Sequence, residues 1–123
     1  MEFQRDKSFL SGRFKSLGFA LKGAIKLATT EHSVMVQSTI AVLLIGAGFY
    51  YEISREEWMF QTLAIGLVLS IEGVNTAVEK VADFIHPEFH KKIGFIKDIA
   101  AGAVFFAAIT AIVIGCFIYI PKF

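Results

Sequence analysis

Residues 58–83 read WMFQTLAIGLVLSIEGVNTAVEKVAD. The run from Trp58 to Ile71 is almost wholly apolar, and Glu72 then follows in the same helix. At about 100° per residue, Glu72, Asn75, Thr76, Glu79 and Asp83 fall on one stripe. An ionisable group within lipid is costly, so the stripe must face protein, water or a ligand. One reading is that these groups merely knit helices together. Yet Glu72, Glu79 and Asp83 have no equal set of intramembrane cations and would repel one another, so they make more sense around a cation.

Working outward, the chain has 123 residues and is 55% hydrophobic, with a mean hydropathy of +0.62. Soluble domains use about 45–50% apolar residues. A bilayer core about 30 Å thick takes about 20 helical residues. Residues 34–51, 57–84 and 99–120 fit, the second only if Glu72 and Asn75 are tolerated at depth. The expectation is an all-α integral membrane protein of one domain, 1–123. No cleavable leader is expected, because the first useful apolar run begins near Val34 with no small-residue cleavage site after it. Cys116 is the single cysteine, so no intrachain disulfide can form.

Ten of the twelve Lys and Arg residues lie before the first span or between the second and third; Arg55 and Lys122 are the exceptions. That bias predicts a cytoplasmic N-terminus and a tight outer loop at 52–56, flanked by the interfacial aromatics Tyr50, Tyr51 and Trp58. Residues 5–29 read as an amphipathic surface helix. Leu10, Phe14, Leu17, Leu21, Ile25 and Ala28 recur at helical spacing, and Lys15, Lys22 and Lys26 share another stripe. It is either a helix lying in the headgroups or a lid whose cations meet a phosphate-bearing ligand.

Glu72 and Glu79 lie about 10 Å apart along the helix axis, which suits one elongated ligand with a lipid end and a polar end. Glu31 precedes the first span at a similar interfacial depth to Glu79. The two could supply oxygen ligands to Mg²⁺, which takes one or two carboxylates plus substrate phosphates. Deeper in, Glu72 could take a proton from a lipid alcohol, or stay neutral and bond Asn75 or Ser70 of a neighbouring helix. The loop HPEFHKKIGFIKD (86–98) carries His86, Glu88, His90, Lys97 and Asp98. Pro87 breaks the helix that the two histidines would share, so no zinc site is expected. Lys97 and Asp98 are either a snorkelling lysine beside a helix-start acid or a phosphate and nucleotide contact. There is no P-loop, dinucleotide fingerprint, zincin motif or protein-kinase signature, so any phosphoryl transfer would use a non-standard scaffold.

The stretches IEGVNTAVEKVAD and HPEFHKKIGFIKDIAAGAV resemble the prokaryotic diacylglycerol kinase family, small integral-membrane lipid kinases. The order of features is similar across residues 12–120, and the loop looks most like the undecaprenol kinase branch. The resemblance implies an ATP- and Mg²⁺-dependent phosphotransferase of the bacterial cytoplasmic membrane. Its acceptor would be undecaprenol or, alternatively, diacylglycerol; it would be a homotrimer with composite sites, and no nucleic-acid partner is expected. Glu72 would be the catalytic base and Asn75 would help order the site. Glu31 and Glu79 would hold the metal. Arg13, Lys15, Phe19, Asp83, Glu88, His90, Lys97 and Asp98 would approach the nucleotide, Arg13 standing for an arginine that the family places near position 12. The segment HSVMVQ (32–37) departs from the family's basic pattern there. Two other classes fit the intramembrane acid alone: a small cation-coupled transporter and a structural membrane subunit.

Overall fold

The structure, a computed structural model, describes residues 5–123, with side chains from residue 9 onward. Arg5 and Lys7, which entered the charge count, therefore have side chains outside the described residues. Four helices follow in order: α1 (Arg5–Thr30), α2 (His32–Tyr50), α3 (Arg55–Ile85) and α4 (Lys91–Tyr119), closed by a 3₁₀ turn at Ile120–Lys122. The described residues contain no strand. Three segments are long and apolar enough to cross a membrane: His32–Tyr50, Arg55–Ile85 and Lys91–Lys122.

The ends of these helices have local causes. The Thr29 and Thr30 hydroxyls donate back to the carbonyls of Ile25 (2.8 Å) and Lys26 (2.6 Å), using acceptors of the last turn of α1. Glu31 is extended (φ −93°, ψ 119°) and separates α1 from α2. After α2 the chain reverses through Glu52, whose φ of 51° lies in the left-handed region that non-glycine residues rarely adopt. The Ile53 N–H donates to the Gly48 carbonyl at 3.1 Å and closes this turn. Ser54 then opens α3 with a reciprocal cap. The Glu57 N–H donates to Ser54 Oγ at 3.1 Å, and the Ser54 N–H donates to a Glu57 carboxylate oxygen at 2.9 Å. Gly48 is required at the hairpin because a Cβ there would lie 2.6 Å from the Trp58 ring.

The start of α4 lies earlier than the apolar run from 99 suggests. His90 is its N-cap, and its Nδ1 accepts the Lys92 N–H at 3.0 Å. The cap sets where the helix begins, whereas hydropathy reports only where lipid begins. Lys97 and Asp98 therefore sit within the helix and not at its first residue.

α3 packs most extensively against α4 and next against α2. Its buried face is Gln61, Ala64, Val68, Glu72, Thr76 and Ala82; Val34 and Ala41 of α2 and Ala107 and Ile118 of α4 are buried as well. At the hairpin end the polar groups tie the three helices together. Gln61 Nε2 donates to the Leu44 carbonyl at 3.2 Å, and the Tyr119 hydroxyl donates to Gln61 Oε1 at 2.5 Å. Lys122 pairs with Glu57 at 3.2 Å. A cavity of about 80 Å³ lies beneath this network, between Ala41, Leu44, Ala64, Val68 and Ile118.

Most other apolar side chains of the bundle point outward, as they do in a protein solvated by acyl chains. Only the last turns of α1 meet this bundle, with Leu27 reaching Gly73 of α3. Phe9, Phe14, Leu17, Phe19, Leu21 and Ile25 are all exposed, so these apolar side chains are left uncovered by the chain itself.

Candidate functional site

The end of α3 opposite the hairpin carries the acidic stripe. Glu72 is 6% exposed and Thr76 8%, both turned into the bundle. They continue the buried line of Gln61, Ala64 and Val68, so Glu72 belongs to the helix-facing side and not to the lipid side. One turn on, half-buried Asn75 donates from Nδ2 towards Glu79 at a long 3.5 Å. Its Oδ1 is buried without a hydrogen-bond partner. A buried oxygen left unpaired costs about 1–3 kcal/mol, which marks this spot as one where a donor or cation is wanted. Glu79 and Asp83 are exposed, nearer the end of the helix.

The α1–α2 break lies alongside this stripe. A Cβ on Gly73 would be 3.1 Å from Leu27 Cδ1, so the absence of a side chain at 73 lets the last turns of α1 approach α3 beside Glu72. Further along, Glu31 Oε2 lies 3.5 Å from Lys80 Nζ. Glu31 thus meets α3 through Lys80. Lys80 directly follows Glu79 in α3 but points about 100° further round the helix.

The loop between α3 and α4 forms an open cavity of about 250 Å³ lined by Asp83, His86, Pro87, Glu88, Phe89, Ile93, Gly94 and Lys97. Lys97 Nζ donates to Asp83 Oδ1 at 2.6 Å, bridging α4 to α3. Sequence spacing shows no such pairing, because the two residues lie 14 apart on different helices. His86 Nδ1 lies 2.7 Å from the Glu88 carbonyl, and the His86 and His90 ring centroids are 5.3 Å apart. His90 spends its Nδ1 on the helix cap.

Asp83, Glu88 and Lys97 thus meet in one cavity, whereas His90 and Asp98 lie outside its lining. Arg13, Lys15 and Phe19 are exposed on α1 and also outside it; the Arg13 guanidinium lies 5.6 Å over the Phe9 ring. Among the described residues there is no group of three or more His, Cys, Asp or Glu placed to hold a metal. Lys80 is the residue that sequence reasoning undervalued. In the sequence it bears only on topology, although its place directly after Glu79 is a signal.

Comparison with known proteins bears on what this arrangement serves. The model of the family described as prokaryotic diacylglycerol kinase matches residues 18–119. The chain is 35% identical over 122 residues to the undecaprenol kinase of Bacillus subtilis (strain 168), covering 99% of both. It is 29% identical over 103 residues to the diacylglycerol kinase of Escherichia coli (strain K12), covering 83% of this chain and 84% of that one. The diacylglycerol kinase of Helicobacter pylori (strain J99) is 35% identical over 91 residues, 73% of this chain and 70% of the relative. With the acidic stripe, the loop cavity and the three apolar helices all inside the matched region, the chain belongs to the prokaryotic diacylglycerol kinase family.

Proposed function

We propose that this chain is a membrane lipid kinase that transfers the γ-phosphate of ATP to the hydroxyl of a lipid alcohol. Undecaprenol is the first candidate acceptor and diacylglycerol the alternative. The observation that carries the reading is the buried Glu72, placed on the same stripe of α3 that ends at the Asp83–Glu88–Lys97 cavity. A phosphate donor in water and an alcohol in lipid need such a graded path. The near-full-length similarity to an undecaprenol kinase supports the choice of acceptor.

Phosphoryl transfer asks a protein mainly for positioning and charge stabilisation. Glu72, sheltered among the helices, would accept the proton of the lipid hydroxyl as the oxygen attacks phosphorus. Lys97 would face phosphate oxygens, with Asp83 orienting its ammonium. Glu88 lines the same cavity and would meet the nucleotide there. His90 and Asp98 would contribute at its rim, and Arg13, Lys15 and Phe19 would approach by way of α1.

Glu31 and Glu79 would supply carboxylate oxygens of the kind Mg²⁺ takes together with substrate phosphates, and the unpaired Oδ1 of Asn75 supports a polar ligand near this stretch of α3. The two acids would hold the ion, which would neutralise charge on the phosphates. The uncovered apolar residues of α1 support an interfacial helix that lies against lipid or a neighbouring copy. The same incompleteness supports an oligomer, for which the family resemblance suggests a homotrimer, and the Lys and Arg bias supports an N-terminus on the cytoplasmic side of the bacterial inner membrane.

The test is a lipid panel with labelled ATP and reconstituted protein, comparing C55 polyprenol, diacylglycerol and ceramide. Labelled polyprenyl phosphate should dominate. A phosphatidic acid product would move the assignment to the alternative acceptor, and no labelled lipid at all would overturn the kinase reading. A cation-coupled transporter would show no lipid-dependent ATP consumption.

A further inference from the structure

Lys80 has no place in the scheme above, yet it makes the polar contact that reaches Glu31 from α3. Glu31 occupies the N-cap of α2 but makes no capping bond. Shorter side chains serve at that position. The carboxylate instead turns across to Lys80, at 3.5 Å. The Lys80 side chain is 69% exposed and that of Glu31 28%. The acid is therefore held in place while the ammonium, on its flexible stem, can move. An exposed ion pair of this length is weak enough to be exchanged, and a lysine ammonium is a point charge with rotatable donors that suits phosphate.

We infer that Lys80 is a positioning residue that serves two partners in turn. Without nucleotide it neutralises Glu31 and keeps that carboxylate aimed at α3. When magnesium nucleotide arrives, Glu31 turns to the ion and the Lys80 ammonium turns to phosphate oxygens. The inference rests on the reading of Glu31 as a metal ligand. It adds a cation that loads the site only when phosphate is present, and so discriminates magnesium nucleotide from the free ion.

That role predicts effects of opposite sign, which a merely structural lysine would not give. Full-length protein in lipid nanodiscs is titrated with Mn²⁺ alone, read by electron paramagnetic resonance, and with ATP at saturating Mg²⁺, read by calorimetry. Lys80→Met should tighten Mn²⁺ by roughly two- to fivefold, because a competing cation is gone. It should weaken ATP by about tenfold, because a charge-assisted phosphate contact is gone. In turnover assays KM for ATP should rise with kcat largely kept, and Lys80→Arg should restore ATP affinity.

Unchanged affinities, or shifts of the same sign, would overturn the inference. Glu31→Gln separates it from the reading beneath. If Glu31→Gln weakens Mn²⁺ while Lys80→Met changes nothing, only the lysine's role fails. If Glu31→Gln leaves Mn²⁺ binding intact, the metal assignment fails and the inference with it.

Discussion

The two ends of the helical bundle both carry polar side chains on the buried face of α3, and they treat them in opposite ways. At the hairpin end the chain satisfies its own groups. Ser54 and Glu57 cap each other, Gln61 is used from both ends of its amide, and Lys122 closes on Glu57. At the other end the network stays open. Asn75 Oδ1 has no partner, its Nδ2 reaches Glu79 only at 3.5 Å, and Glu72 is buried where an acid is costly. A sequence able to close such a network at one end of a helix has left one open at the other. Unmet polar groups in a folded interior point to a partner that the chain does not contain.

That contrast can be broken by substitution. Glu72→Gln should have the largest effect, lowering turnover of labelled lipid by at least about 100-fold with helix content retained by circular dichroism. Undiminished turnover would put Glu72 in a structural role and make the two ends alike. Glu79→Gln comes next. The Mg²⁺ concentration for half-maximal activity should rise about tenfold or more, measured by metal titration at fixed ATP; an unmoved titration would remove Glu79 from the metal.

At the hairpin end the expected signature is the reverse, a loss of stability with chemistry intact. Tyr119→Phe strips Gln61 Oε1 of its donor and should cost about 1–2 kcal/mol, read by unfolding in micelles, with lipid turnover unchanged. Lys122→Ala should be smallest, under about 1 kcal/mol, because Glu57 keeps its cap with Ser54. A hairpin-end variant that lost turnover without losing stability would erase the distinction.

The acidic end was the more legible in sequence, for a physical reason. Carboxylates at helical spacing in an apolar run announce themselves, and the stripe, the three apolar helices and the hairpin all followed from periodicity and hydropathy. The hairpin-end network was invisible. Gln61 is one amide in an apolar run, one of its partners is a backbone carbonyl, and Tyr119 lies 58 residues away. No pattern within a single helix reports such a contact. The same limit hid the Asp83–Lys97 and Glu31–Lys80 pairs, each of which joins residues on different elements. The early start of α4 was missed because a histidine cap carries no hydropathy signal.

The tight reversal between α2 and α3 also bears on how the protein is made. Its fastening runs from near to far along the chain: three residues between Ser54 and Glu57, 17 between Leu44 and Gln61, then 58 and 65 to reach Tyr119 and Lys122. The first two bonds are available to a nascent chain whose last helix is still inside the ribosome. The bonds from Ile53 to Gly48 and between Ser54 and Glu57 ask nothing of α4, so the hairpin is able to close before that helix is made. The acceptors that hold Tyr119 and Lys122, on Gln61 and Glu57, both belong to that earlier hairpin.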